Sequence, residues 1–156
     1  MLPTLLQTHG DRTLALLRRI LGDPEDARDA WQETWTAVWR ALPRLRPAAD
    51  PWPFIRQAAV RKAIDQLRAR RGGAIVRNGL DGDAWPAPAP AATADEGIDL
   101  SGLREEERAC ITLFFWEGCS VREIAEQLEV PVGTVKTWMF RARARLRGRL
   151  AEEDAR

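Results

Sequence analysis

The stretch VPVGTVKTWMFRARARLRGRL, residues 130–150, carries Lys136, Arg141, Arg143, Arg145, Arg147 and Arg149 and no acidic side chain. The chemistry open to such a set is electrostatic: lysine and arginine neutralise phosphates, and both reach the edges of guanine by hydrogen bonding. A second basic stretch runs over residues 34–72, where Arg40, Arg44, Arg46, Arg56, Arg61, Lys62, Arg68, Arg70 and Arg71 meet only Asp50 and Asp65. Trp52 and Phe54 lie inside it, and aromatic rings beside cations are the groups on which unpaired bases stack. The formal net charge is nevertheless only +1, because acidic blocks at residues 22–33 and 73–129 offset the basic ones. Charge alternating in blocks is a statement about partners, and nucleic acid is the commonest partner of clustered arginine.

Other chemistries find no support in the residue types. Cys110 and Cys119 have no second pair and the single histidine, His9, is far away in sequence, so zinc-ligand spacing is absent and no metal is expected. Cys110 falls on an apolar helical stripe and reads as a buried thiol, whereas Cys119, beside Gly118, is expected to be the more exposed of the two. There is no glycine-rich phosphate loop, no GxSxG and no histidine paired with carboxylates, so neither catalysis nor a cofactor is expected. No apolar run approaches the roughly 20 residues of a membrane helix. The opening residues lack the basic front and apolar middle of a secretory signal, which places the chain in the cytoplasm, without membrane insertion.

The elements that must position these residues are all helical. Leu5, Leu6, Leu14, Leu17, Ile20 and Leu21 recur with helical period over residues 4–21, a helix weakened at Gly10. Asp23 as N-cap and Pro24 at the first helical position open a second helix with acids in its first turn. Trp31, Trp35 and Trp39 line one face of it as a core stripe, and Asp26, Asp29, Gln32 and Glu33 lie mostly away from that stripe. Pro43, Pro47, Pro51 and Pro53 forbid regular helix across a loop that exposes Trp52, and helix resumes near Phe54 to about Arg71. Residues 72–99, dense in Gly, Pro, Ala and Asp, read as a flexible linker.

Beyond the linker, helical patterns occupy residues 101–117, 120–128 and 132 to about 150. Ser120 with Glu123 forms a capping box, and Ile124, Ala125 and Leu128 face inward. After a short turn, Val132, Val135, Met139 and Ala142 continue the apolar stripe, leaving Thr134, Lys136, Thr137, Phe140, Arg141 and Arg143 to project elsewhere. Two short helices joined by a tight turn, the second one basic, describe a helix-turn-helix whose second helix enters the major groove. The fold expected is therefore all-α, with two small helical domains at 1–71 and 100–151 on a flexible tether.

At this point the arrangement resembles the sigma-70 family, specifically its compact two-domain extracytoplasmic-function (ECF) group. GDPEDARDAWQETWTAVWRAL is similar to the part of region 2 that docks on polymerase, with Asp29, Gln32, Glu33, Trp35 and Trp39 at the matching positions. PWPFIRQAAVRKAIDQLRAR resembles the segment that opens and reads the minus-ten element, and EGCSVREIAEQLEVPVGTVKTWMFRARARL resembles the region 4 helix-turn-helix that reads the minus-thirty-five element. Phe54 stands where the family usually has tryptophan, Arg61 where it has asparagine, and Trp138 where an arginine commonly follows.

The resemblance implies an initiation subunit of RNA polymerase without catalytic residues of its own. Core polymerase would be bound through Asp26, Asp29, Gln32 and Glu33. Promoter DNA would be held, melted at the minus-ten element, by Trp52, Phe54, Arg56, Arg61, Lys62 and Arg68, with Phe54 equally suited to the core. Double-stranded DNA at the minus-thirty-five element would meet Thr134, Lys136, Thr137, Trp138, Phe140, Arg141, Arg143 and Arg145. Family members are commonly held by an anti-sigma factor, which adds a candidate partner. The alternative is a stand-alone helix-turn-helix regulator that binds operator DNA without polymerase, for which the first domain would have no task.

Overall fold

The computed structural model describes residues 1–46, 49–70 and 99–155, and among these the regular structure is helical throughout. The chain divides into two units, Met1–Ile75 and Val76–Arg156. The linker expected over 72–99 lies outside the described residues apart from Asp99.

The first unit packs three helices: α1 (Leu2–Leu21), α2 (Pro24–Ala41) and α3 (Trp52–Arg70). Helix α1 runs unbroken through Gly10, whose carbonyl accepts the Trp31 indole N–H at 2.9 Å. Gly22, at φ 78°, ends α1 in a conformation that costs glycine little, and its amide returns to the Arg18 carbonyl. Asp23 then caps α2 by accepting from the amides of Glu25 at 2.7 Å and Asp26 at 3.3 Å. Burial follows the apolar faces: Leu16, Leu17 and Ile20 of α1, Ala27, Ala30 and Val38 of α2, and Ile55, Ala59, Val60, Ala63 and Leu67 of α3 are wholly enclosed. The alanines on α2 and α3 put little side-chain bulk between their backbones and keep the bundle narrow.

Two expectations for this unit need correction. Helix α3 begins at Trp52 because the Asp50 carboxylate accepts the Trp52 amide at 3.1 Å, so Pro53 falls in the first turn, where a missing N–H is no loss. Trp52 is therefore not an exposed loop residue: it is 5% exposed, its ring stacked on His9 at 5.8 Å with the Arg12 guanidinium 3.8 Å from its centroid. The tryptophan stripe of α2 is also not uniform. Trp35 is buried and Trp31 half-buried, but Trp39 is 59% exposed: positions spaced by four drift around a helix of 3.6 residues per turn, and here Val38, not Trp39, faces the core.

The second unit contains α4 (Glu105–Ile111), a π-type turn over Thr112–Trp116, α5 (Val121–Leu128) and α6 (Val132–Asp154). In the π turn the Glu117 amide reaches back five residues to the Thr112 carbonyl, and the Cys119 amide meets the Leu113 carbonyl at 2.9 Å. Cys119 is consequently buried, against the expectation of exposure, and its sulfur accepts from the Gln127 amide at 3.6 Å. Cys110 is enclosed as expected. Burial pushes its thiol far above the ordinary range, with the Glu107 charge adding to the effect, so it stays protonated and unreactive.

Candidate nucleic-acid interface

The helix-turn-helix is assembled by backbone chemistry at three points. Ser120 caps α5 by accepting the Glu123 amide at 3.1 Å. Helix α5 stops at Glu129, which takes a left-handed conformation, φ 56°, and the Val130 amide bonds back to the Ala125 carbonyl. The Pro131 carbonyl then accepts from Thr134 at 3.0 Å and Val135 at 3.3 Å, launching α6 at once. Glu129, Val130 and Pro131 are thus the whole turn.

A side chain with a Cβ pays roughly 1–2 kcal/mol to sit in the left-handed region, a cost glycine escapes. Glu129→Gly is accordingly expected to stabilise the second unit by about 1 kcal/mol. Urea unfolding followed by circular dichroism checks this, and a destabilised variant would mean that the Glu129 side chain makes a contact outweighing its strain.

The buried arc of α6 is wider than its apolar residues alone indicate. Val135, Met139 and Ala142 are enclosed as expected, but Thr134 and Thr137, expected to project elsewhere, and Trp138, expected among the DNA contacts, are buried with them. The reason is that α6 packs against both α4 and α5, so positions on two sides of the central stripe are covered. The Thr137 hydroxyl donates to the Gly133 carbonyl at 3.0 Å, which satisfies it without water. Val132, placed inward from the sequence, is instead partly exposed. The outward strip of α6 is made by Val132, Lys136, Phe140 and Arg141, with Phe140 70% exposed, and Arg143 is half-buried. An exposed phenylalanine between cations is an unusual surface for water and a suitable one for thymine methyl groups.

Acids from outside the basic run reach its far half. Arg145 pairs with Glu107 of α4 at 3.2 Å, and Arg149 pairs with the Asp99 carboxylate and donates to its carbonyl. Hydrogen bonds from the Ser101 hydroxyl and amide, then from Arg149, hold the Asp99 carboxyl at about 2. Both acids lie far upstream, which is why counting charge within the run misses them.

In the first unit, Arg61 is exposed and Arg56, Lys62 and Arg68 are half-buried on α3. Phe54 is half-buried and lines a cleft of about 310 Å³ with Ala37, Gln57, Ala58, Arg61 and Lys62. An adjoining cleft of about 480 Å³ shares Ala37 and Lys62 and brings in Asp29, Gln32 and Glu33 of α2. Asp26 departs from this set: its carboxylate is ion-paired with Arg70 and its carbonyl accepts from Gln66. Leu2, Leu6, Trp31, Trp35 and Trp39 border a further, mostly apolar cleft of about 580 Å³, which joins the start of α1 to the tryptophan face of α2. Among the described residues there is no cluster able to hold a metal ion and no helix long and apolar enough to cross a membrane.

The described residues thus form a three-helix unit with an acidic and a basic flank and a second unit whose helix-turn-helix bears a cationic outward strip. Residues 5–72 match the family described as Sigma-70 region 2, and residues 100–146 match Sigma-70, region 4. The chain is 32% identical over 163 aligned residues to the ECF RNA polymerase sigma factor SigE of Mycolicibacterium smegmatis, covering 97% of this chain and 62% of that one. It is 31% identical to the RNA polymerase sigma-E factor of Streptomyces avermitilis, covering 96% of this chain and 84% of that one. The fold is shared with the sigma factor RpoE solved in complex with the anti-sigma factor NepR from Bartonella quintana, at TM-score 0.63, 19% identity and 96% coverage of both chains. The chain belongs to the sigma-70 family, in its ECF group. The region 2 match gives the first unit a counterpart, which a stand-alone helix-turn-helix regulator would leave idle.

Proposed function

We propose that this chain binds RNA polymerase core and directs promoter recognition, strand opening and the start of transcription, without catalytic residues of its own and within the cytoplasm. The observation that carries the reading is the outward strip of α6, where Lys136, Phe140 and Arg141 stand at the head of a helix launched from a three-residue turn. In it, phosphate neutralisation by Lys136, Arg141 and Arg143 holds the duplex, and Phe140 adds apolar contact to base edges. The buried Thr134, Thr137 and Trp138 set the register of this helix instead of touching bases themselves.

On the first unit, Arg61 and Lys62 attract melted DNA to the Phe54 cleft, whose volume of about 310 Å³ accommodates one extruded base. Arg56 and Arg68 add to the field. Trp52, enclosed against α1, contributes by holding the start of α3 in place. Asp29, Gln32 and Glu33, all exposed on α2, form the surface for polymerase. RpoE of Bartonella quintana was solved with an anti-sigma factor, and a protein inhibitor of that kind is proposed as a further partner here.

Charge reversal at an exposed rim position acts on association with one partner and leaves the fold alone. Glu33→Lys is expected to weaken binding to core polymerase about tenfold or more while duplex binding by α6 stays unchanged. Competition against the parent chain for purified core measures the first, and fluorescence anisotropy on duplex DNA the second. Equal affinity of variant and parent for core would remove this surface from the account.

A further inference from the structure

The cations of residues 130–150 are not equivalent, although the sequence presents them as one run. Arg145 lies 3.2 Å from one oxygen of Glu107, and that same oxygen accepts the Arg104 amide at 3.1 Å. Glu107 is 1% exposed and its other oxygen is buried without a hydrogen-bond partner. Arg145 is 41% exposed, so the pair has one buried member and one member at the surface. Removing the partner of a buried charge is strongly unfavourable, whereas a surface arginine gains little from one more screened contact. Arg145 swinging out to a phosphate would strand the carboxylate, so the balance favours the internal pair.

We infer that Glu107 is a positioning residue that anchors α6 to α4 and withholds Arg145 from DNA phosphate. The inference rests on the reading of α6 as the DNA-binding helix. It divides the helix by task. The first half, with Lys136 and Arg141, engages the duplex, while the second half is anchored through Arg145 to the buried Glu107, the Arg149–Asp99 pair lying at the surface. A helix clamped at its rear presents its front at a fixed angle, which a flexible ion pair on the surface would not achieve. A capping acid that also binds a guanidinium does both jobs with one side chain.

The test is the salt dependence of binding by the full-length chain to a short fluorescent duplex of mixed sequence. Each phosphate contact contributes about 0.9 to the slope of log affinity against log salt. Lys136→Ala is expected to lower the slope by about that amount, and Arg145→Gln to leave it unchanged. Glu107→Gln retains an acceptor for the Arg104 amide but removes the negative charge that holds Arg145. It is expected to steepen the slope by about 0.9, and the steepening should vanish in Glu107→Gln/Arg145→Gln. A purely structural Glu107 would alter stability and leave the slope where it was.

A lowered slope for Arg145→Gln, or an unaltered one for folded Glu107→Gln, overturns the inference. Where Arg145→Gln fails to fold, the comparison of Glu107→Gln with the double variant decides, because neither carries the buried charge. Should Lys136→Ala also leave the slope unmoved, the reading of α6 itself fails, an outcome distinct from failure of the Glu107 assignment alone.

Discussion

Replacing Trp52 by alanine is expected to lower the melting midpoint of the first unit by about 12 °C or more. The estimate follows from the cost of emptying a buried tryptophan site, about 3–5 kcal/mol. In a domain of this size each kcal/mol moves the midpoint by about 4–8 °C. Trp52 is enclosed between His9 and Arg12 of α1 and opens α3, so its loss frees the start of the helix that carries the basic flank. Trp52→Phe keeps an aromatic face for both neighbours and should melt much closer to the parent. Circular dichroism of the full-length chain provides the readout. A Trp52→Ala variant that melts like the parent but cannot hold melted DNA would return Trp52 to the role of a base-stacking residue.

The second large effect concerns the outward strip of α6. Substituting Lys136 and Arg141 together by alanine removes two cations from a surface whose affinity for DNA is mostly electrostatic. The expected loss in salt slope is about 1.8, twice the single-contact value, together with an affinity fall of about tenfold to a hundredfold near physiological salt. Stability should hardly change, since Arg141 is exposed and Lys136 half-buried, outside the wholly enclosed positions of this unit. Anisotropy titrations across salt concentrations, with thermal melts as control, separate the two effects. A double variant that binds with parental slope would move the DNA contact off this helix.

Much of the architecture is legible in the residues, for physical reasons that act locally. Asp23 with Pro24, and Ser120 at the head of α5, announce helix starts through side chains that satisfy neighbouring amides. Ile124, Ala125 and Leu128 share a face because three and four residues make a helical turn. The misses are of a different kind. Trp52 reads as a loop residue between prolines, since nothing local tells that the Asp50 carboxylate starts the helix before Pro53. Thr134 and Thr137 read as outward, and Trp138 as a DNA contact, because an apolar stripe marks the centre of a buried face, and its margins depend on how many helices pack around it.

The pairing of Arg145 with Glu107 is invisible to any count within a segment, because it joins helices distant in the chain. The burial of Cys119 has a local cause, the π turn, but that is a backbone event with no strong residue signature. The acid flank of α2 was legible in part. Asp29 and Glu33 stay exposed, while Asp26 is taken up by Arg70, a partner that only the packing of α3 against α2 supplies.

The central claim, that this chain gives core polymerase its choice of start sites, is tested most directly by transcription in vitro on sheared DNA from the source organism, with RNA 5′ ends sequenced. Core polymerase with the chain should yield transcripts starting at discrete positions that core alone does not use, and Lys136→Ala/Arg141→Ala should diminish them. Identical start-site profiles with and without the chain, alongside tight binding of the chain alone to a discrete duplex site, would contradict the account.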